Sequence, residues 1–325
     1  MSISIDSAMV AIRGAVRAEL SECSAGDRII VACSGGADSL ALSYALAHEA
    51  EKLALTLVGV TIDHQLQPGS RAQAEKVISQ LHAMGIPTAE IRTVTVEITD
   101  GVEASARRAR YAALDQASIE HGAGWIFLGH TRDDQAEGVL LGLARGSGTR
   151  SLSGMAPRNG KYLRPLLAIT REQTMAACHE VGLDPWQDPQ NSDRKYLRVR
   201  LRTQALPVLE ESIGPGVSAA LARSAQLLRD DADALDFWAR REFERFDGSS
   251  LDVQSLAELP RAVRTRLLRL AIYAVGAPGG SISADHVSAV DALITSWRGQ
   301  GEVSLPGGVK ASRKSGRLSL LAPFN

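Results

Sequence analysis

The hydrophobic positions of the chain follow two rhythms in alternation. Short unbroken apolar runs, as expected of strands covered on both faces, occur at 29–33 (IIVAC), 53–62 (LALTLVGVTI) and 125–129 (WIFLG). Between them, apolar residues recur three and four apart. Residues 7–20 place Met9, Ile12, Val16 and Leu20 on one helical face, and the segment after Ser39 is free of Gly and Pro. RAQAEKVISQLHAMG reads as a helix ended by Gly85, with Ser70 as its N-cap. VEASARRARYAALDQASIEHG reads as a longer helix in which Glu103 and Arg107 pair at i,i+4. Residues 90–98 alternate, with Val94, Val96 and Ile98 on one face of a further strand. Strands alternating with helices predict βαβ units, hence an α/β fold with a parallel sheet and helices on both faces.

Past residue 130 the pattern becomes more helical. TRDDQAE opens a helix with a capping-box pattern from Thr131 to Asp134. RGSGTRSLSGM (145–155) is a Gly/Ser-rich loop, followed by a short extended stretch at 162–167 and a helix from about Arg171 to Val181. Residues 186–202 begin as a polar loop and become a basic helix expected to end before Pro207. Gly214-Pro215-Gly216 reads as a linker; 217–245 and 260–297 read as helices, with a strand near 250–253 and terminal strands around Gly-containing turns. At 325 residues the chain exceeds the usual size of one domain. The expected division is a catalytic domain over 1–213 and a smaller, mainly helical domain over 217–325.

Composition alters this picture in two places. The net charge is −1, so no whole-molecule field attracts nucleic acid, and any RNA must be held by local basic clusters. Such clusters occur at Arg107, Arg108 and Arg110; at Arg194, Lys195, Arg198, Arg200 and Arg202; at Arg261, Arg264, Arg266 and Arg269; and at Lys310, Arg313, Lys314 and Arg317. Cys23, Cys33 and Cys178 include no C-x-x-C pair, which argues against a structural zinc site and a disulfide framework. The first twenty residues contain no apolar run long enough for a signal or a membrane span, and the expected location is the cytoplasm.

The chemistry gathers where strands end. RIIVACSGGADS is a buried strand, a Gly-rich turn and a helix start, the arrangement in which backbone N–H groups meet phosphate. Neither Gly35 nor Gly36 is followed by Lys, so this is not a Walker loop. Ser34 and Ser39 add hydroxyls, and Asp38 is placed to hold a magnesium ion that screens the phosphates. Asp63 and His64 follow the second strand, and His130 follows WIFLG; ligands of such sheets lie beyond these carboxyl ends. Asp133, Asp134 and Glu137 crowd one helical sector, and Asp133 and Glu137 repel at i,i+4 unless a cation lies between them. A magnesium ion or a substrate ammonium would serve.

SGGADS resembles the pyrophosphate loop of enzymes that cleave ATP between its α- and β-phosphates. In order along the chain, SGGADS, DHQLQPGSRAQAE, EASARRARY, GHTRDDQAE, RGSGTRSLSGM, RPLL and DPQNSDRKYLRVRLR resemble the bacterial tRNA(Ile)-lysidine synthetases. The resemblance covers about residues 28–207, with Gln67, Gly138 and Val199 standing where the family often has Arg, Thr and Asn. It implies ATP and Mg2+ as cofactors, and free L-lysine and a tRNA(Ile) with anticodon CAU as substrates. The reaction would pass through an adenylated wobble cytidine to lysidine, AMP and pyrophosphate. It also implies ATP binding by Ser34, Gly35, Gly36, Ala37, Asp38, Ser39, Asp63 and His64, with Asp38 toward the metal. Catalysis would fall to Asp38, His130, Asp133, Asp134 and Glu137. Contacts to tRNA would fall to Arg107, Arg110, Arg145, Arg194, Lys195, Arg198, Arg200 and Arg202. The oligomeric state stays open, a homodimer included. Three alternatives share the loop. Cytidine 2-thiolation calls for cysteine pairs that this chain lacks. An amide synthetase leaves the basic blocks without a use, and a binding-only module leaves the intact Asp38 and Ser39 without one.

Overall fold

The computed structural model describes residues 8–65, 67–97, 101–146, 148–246 and 250–322. The chain divides into two compact units, residues 1–226 and 227–325. In the first, helix α1 (Ala8–Leu20) buries Met9, Ile12, Val16 and Leu20, the expected stripe. Burial of each such side chain contributes about 1.5–3 kcal/mol. Strand β1 (Arg28–Ala32) leads through the Gly-rich turn into α2 (Ala37–Lys52). Then follow β2 (Thr56–Asp63), α3 (Ser70–Ala83), β3 (Thr88–Thr93), α4 (Val102–His121) and β4 (Trp125–Leu128). The unit continues with α5 (Arg132–Ala144), the single turn α6 (Thr149–Leu152), the short strands β5 (Arg158–Asn159) and β6 (Tyr162–Leu163), and α7 (Arg171–Glu180).

The sheet order is β3-β2-β1-β4-β6-β5. Every pairing is parallel except β5 with β6. Ile30 of β1 stands opposite Val58 of β2 and Ile126 of β4. Successive side chains leave a strand on opposite faces, so β1 serves two cores. Ile29 and Val31 pack with Ile12, Leu40 and Leu46, whereas Ile30 packs with Val58, Val60, Leu114 and Ile126. Burial on both faces is the reason these strands read as unbroken apolar runs.

Three local expectations are revised. Ser70 is the first residue of α3, not its cap; Gly69, at φ +80°, precedes the helix and no side chain caps it. The third strand lies earlier than residues 90–98: β3 pairs Thr88 to Thr93 with Val58 to Asp63, and β2 ends there, leaving Val94 and Val96 without a ladder. The Val94 N–H still reaches Asp63 O at 2.9 Å. Ile98 and the Glu103 side chain lie outside the described residues. The basic helix does not stop before Pro207. It runs from α8 (Leu197–Arg200) through a π turn (Leu201–Ala205) into α9 (Leu206–Ile213). Proline lacks an N–H and its ring crowds the preceding turn; a π turn just upstream widens the helix there.

The division between units falls inside α10 (Val217–Phe243). The second unit adds β7 (Ser250–Asp252), α11 (Val253–Glu258), α12 (Arg261–Ala274), α13 (Ala284–Thr295), β8 (Val303–Ser304), β9 (Lys310–Lys314) and β10 (Arg317–Leu321). Its four-stranded sheet, β7-β10-β9-β8, is antiparallel. Leu251, Leu267, Ile272, Val290, Leu293, Leu318 and Leu320 form its core. The arginines of α12 are less available to RNA than their spacing suggested. Arg264 is buried and donates to Asp291 Oδ1 at 2.6 Å, Arg266 to Asp236 Oδ1 at 2.7 Å, and Arg269 to Ile282 O at 2.8 Å. None of the described helices is long and apolar enough to cross a membrane.

Candidate active site

The Gly-rich turn is shaped by its serines and glycines. Ser39 Oγ accepts from the Ser34 N–H at 3.1 Å and donates to Gly36 O at 3.0 Å, closing the turn on itself. Gly35 takes φ +83°, and a Cβ there would lie 2.7 Å from Val77 Cγ2 of α3. Gly36 is the N-cap of α2, with no side-chain cap, so the first N–H groups of the helix face outward for an anion. Gly129, after β4, is needed for close approach: a Cβ there would come 3.0 Å from the Asp38 backbone. The loop is covered from one side by Trp186, whose backbone N–H donates to Gly35 O at 2.8 Å. A recess of about 120 Å³ adjoins it, lined by Ser34, Asp63, His64 and Trp186 among others.

Asp38, Asp134 and Glu137 converge, and the cation between them is the protein's own. Arg171, the first residue of α7, directs Nη2 to Asp134 Oδ1 at 2.8 Å, Nη1 to Glu137 Oε1 at 3.4 Å and Nε to Asp38 Oδ2 at 3.5 Å. Its backbone N–H donates to Asp133 Oδ2 at 2.9 Å. Thr174, one turn later, donates to Asp38 Oδ1. Arg202 Nη1 lies 3.9 Å from Glu137 Oε1. The acids also serve the fold: Asp134 Oδ2 accepts from the Thr131 N–H at 2.8 Å, the return half of the anticipated capping box.

Burial raises the carboxyl pKa of both Asp38 and Glu137. For Asp38 the Thr174 hydrogen bond and Arg171 oppose the rise; for Glu137 the Asp134 charge adds to it, and Arg171 and Arg202 oppose it. Burial works against the Arg171 charge as well, but Asp134, Asp38, Glu137 and Asp133 outweigh it and hold the guanidinium protonated. His130 goes the other way. Burial, with Arg110, Arg164 and Arg107 in support and Asp134 opposing, lowers it to about 3. His64 is lowered by burial and by Arg110. Both histidines are neutral at pH 7, and each keeps a buried Nδ1 with no partner among the described residues.

The other expected residues separate into those near this edge and those away from it. Arg110, its Nε buried with no hydrogen-bond partner among the described residues, exerts its charge on both histidines. Arg107 lies against the Tyr111 ring. Arg145 is exposed at the far end of α5, where its N–H caps the helix. Arg194 and Lys195 are exposed, and their carbonyls accept from Arg200 Nη1 at 3.0 and 3.2 Å. Glu210, a conceivable partner for these arginines, accepts instead from the N–H groups of Gly216, Val217 and Ser218 at the start of α10. The three cysteines are free; Cys33 lies below Ser39 and Cys178 below Ala37.

Arg171, Thr174, Trp186 and Arg164 were not among the expected site residues. Arg164 is buried and donates to Ala156 O at 2.8 Å. One signal was present for Arg171. Thr170 to Gln173 is a capping box that starts α7, and a cation directly after such a cap opposes the helix dipole, which calls for a local reason.

A phosphate-cradling loop at the carboxyl edge of a parallel sheet, joined through Asp38 to a carboxylate cluster, defines the class: residues 12–209 match the PP-loop domain. Residues 251–319 match the TilS substrate binding domain. The chain is 51% identical to the tRNA(Ile)-lysidine synthase of Thermobifida fusca, covering 96% of this chain and 97% of that one. It is 54% identical to that of Streptomyces coelicolor, over 89% and 84%. The chain therefore belongs to the tRNA(Ile)-lysidine synthase family. Among solved structures it shares its fold with the U34-tRNA thiolase NcsA of Methanococcus maripaludis, with a TM-score of 0.58 at 18% identity over 69% of this chain and 80% of that one.

Proposed function

We propose that this enzyme joins free L-lysine to the wobble cytidine of a CAU-anticodon tRNA(Ile) in two steps, with the roles divided as follows. The turn from Ser34 to Ser39 binds the β- and γ-phosphates of ATP through its backbone N–H groups and hydroxyls. The cytosine 2-oxygen attacks the α-phosphorus and pyrophosphate leaves. The lysine ε-amine then attacks carbon 2, the C–O bond to AMP breaks, and the amine loses a proton. Magnesium fits one position: Asp38 is the carboxylate on the loop, in keeping with an ion held mainly by phosphate oxygens and water. When bound, it would neutralise phosphate charge. Among the described residues, no group of three or more His, Cys, Asp or Glu side chains is arranged as a metal cage.

The observation that carries the reading is Asp38, which belongs to the phosphate loop and also to the carboxylate cluster. Adenylation and lysine binding thus share a wall. For the amine proton, His130 is a poor acceptor, because burial lowers it to about 3. Glu137 is buried, and burial with the Asp134 charge raises its pKa, so of the two it is the better matched to take the proton. Thiolation is disfavoured by the cysteines: Cys33 and Cys178 are buried and burial raises the pKa of all three thiols. The test is incorporation of labelled lysine into tRNA(Ile) transcripts with and without ATP. Asp38→Ala should abolish AMP formation, and near-normal turnover in that variant would remove Asp38 from the mechanism.

A further inference from the structure

If the acids receive lysine, Arg171 needs its own explanation. As the first residue of α7 it sits where a positive charge costs about 0.3–1 kcal/mol against the helix dipole. Its guanidinium nitrogens face three different carboxylates, Nε toward Asp38, Nη1 toward Glu137 and Nη2 toward Asp134. Those carboxylates come from two elements, the start of α2 and the first two turns of α5, with α7 supplying the third corner. A planar fork with three fixed donor directions defines one arrangement of the three acids; a flexible ammonium on a four-carbon stem would not. With Asp133 on the backbone N–H, four carboxylates surround Arg171; Arg202 lies 3.9 Å from Glu137, and Arg198 adds its charge near Glu137 as Arg110 does near Asp134.

We propose that Arg171 is the positioning residue of the lysine site. Its fork holds Asp38, Asp134 and Glu137 in one arrangement, a preformed cradle that receives the substrate ammonium. Like-charge repulsion among the acids is offset before substrate arrives, so lysine binding does not have to assemble them. Because Asp38 belongs to the loop, the same guanidinium also sets the lysine cradle in register with the phosphate site. This rests on the assignment of the acids to lysine made above.

The test uses the full-length chain, labelled lysine and tRNA(Ile) transcripts, with Michaelis constants for lysine and ATP determined separately. Arg171→Gln should raise the lysine KM by about tenfold or more, a loss of about 1.4 kcal/mol, and by a larger factor than it raises the ATP KM. Arg171→Lys, which restores charge without the fork, should recover part of that loss. A lysine KM within about twofold of the parent, with a lower melting temperature, would make Arg171 a structural residue only and overturn the proposal. A lysine KM that falls would overturn it too, because Arg171 would then compete with lysine for the cradle. If Arg171→Gln does not fold, Arg171→Lys decides by the same comparison. Glu137→Gln separates the two levels. If it leaves the lysine KM unchanged, the assignment of the acids fails. If it raises the lysine KM while the Arg171 variants do not, the positioning role alone fails.

Discussion

Replacing Gly35 by Ala tests the loop geometry most directly. The new methyl group meets two obstacles. At φ +83° an L-residue occupies left-handed backbone, at a cost of about 1–2 kcal/mol. Its Cβ would lie 2.7 Å from Val77 Cγ2 and 3.2 Å from Gln73 Nε2. Gln73 can swing aside, but Val77 is 1% exposed and packed beneath the loop, so overpacking adds about 1–3 kcal/mol. The sum is about 2–5 kcal/mol, a fall in melting temperature on the order of 5–15 °C for a unit of this size. A double-mutant cycle with Val77→Ala, followed by urea unfolding, separates the two contributions. Deleting Cγ2 removes the clash and leaves the backbone strain, so the two substitutions should couple favourably by about 1–3 kcal/mol. The Gly35→Ala enzyme should also show a raised KM for ATP, since relief of the clash moves the turn. Unchanged stability, additivity within about 0.5 kcal/mol and an unaltered ATP KM would together refute this account of the loop.

Further expectations concern the acids and the RNA. Glu137 and Asp38 have raised carboxyl pKa values in the fold, so the folded state holds their protons more tightly than the unfolded state. Their stabilising effect is therefore greatest below the ordinary values of 4.5 and 3.8 and is lost as pH rises through the folded values. Glu137→Gln copies the protonated form and relieves repulsion from Asp134, about 0.2–0.5 kcal/mol. It should melt slightly higher than the parent at pH 7 in calorimetry while lysine transfer falls; a lower melting point would count against the charge assignment. Arg198→Ala with Arg200→Ala should weaken tRNA binding, flatten the salt dependence by about one unit per lost phosphate contact and leave ATP affinity unchanged. Unchanged tRNA affinity and salt slope with earlier melting would mean that these arginines serve only the fold, Arg200 through the carbonyls of Arg194 and Lys195.

What could be read from the chain tracks how local its causes are. The parallel sheet was legible because β1, β2 and β4 are buried on both faces, which forces unbroken apolar runs. The phosphate turn was legible because strand, glycines and helix start are contiguous. The acidic sector of α5 was legible as an electrostatic conflict, since Asp133 and Glu137 are one turn apart. Its resolution was not, because Arg171 is 34 residues from Glu137 in sequence and reaches it only through the fold. Likewise nothing local marks Arg264 as a buried partner of Asp291, 27 residues away, so its spacing with Arg261 and Arg269 read as a basic face. Pro207 misled for the opposite reason. The local rule for proline holds, but a π turn satisfies it without ending the helix.

The placement of the two inner cysteines has a practical consequence. Cys33 Sγ lies 3.7 Å from Ser39 Oγ, and Cys178 Sγ lies 3.4 Å from Ala37 O, so both thiols sit directly under the phosphate turn and both are closed to solvent. A thiol reagent can reach them only when the packing around the turn opens. Their alkylation rates thus form a built-in clock for local opening at that place, with half-buried Cys23 near the end of α1 as an internal standard. Any ligand that clamps the turn slows the clock at Cys33 and Cys178 and leaves Cys23 running, so occupancy of the site can be timed in the unlabelled native chain.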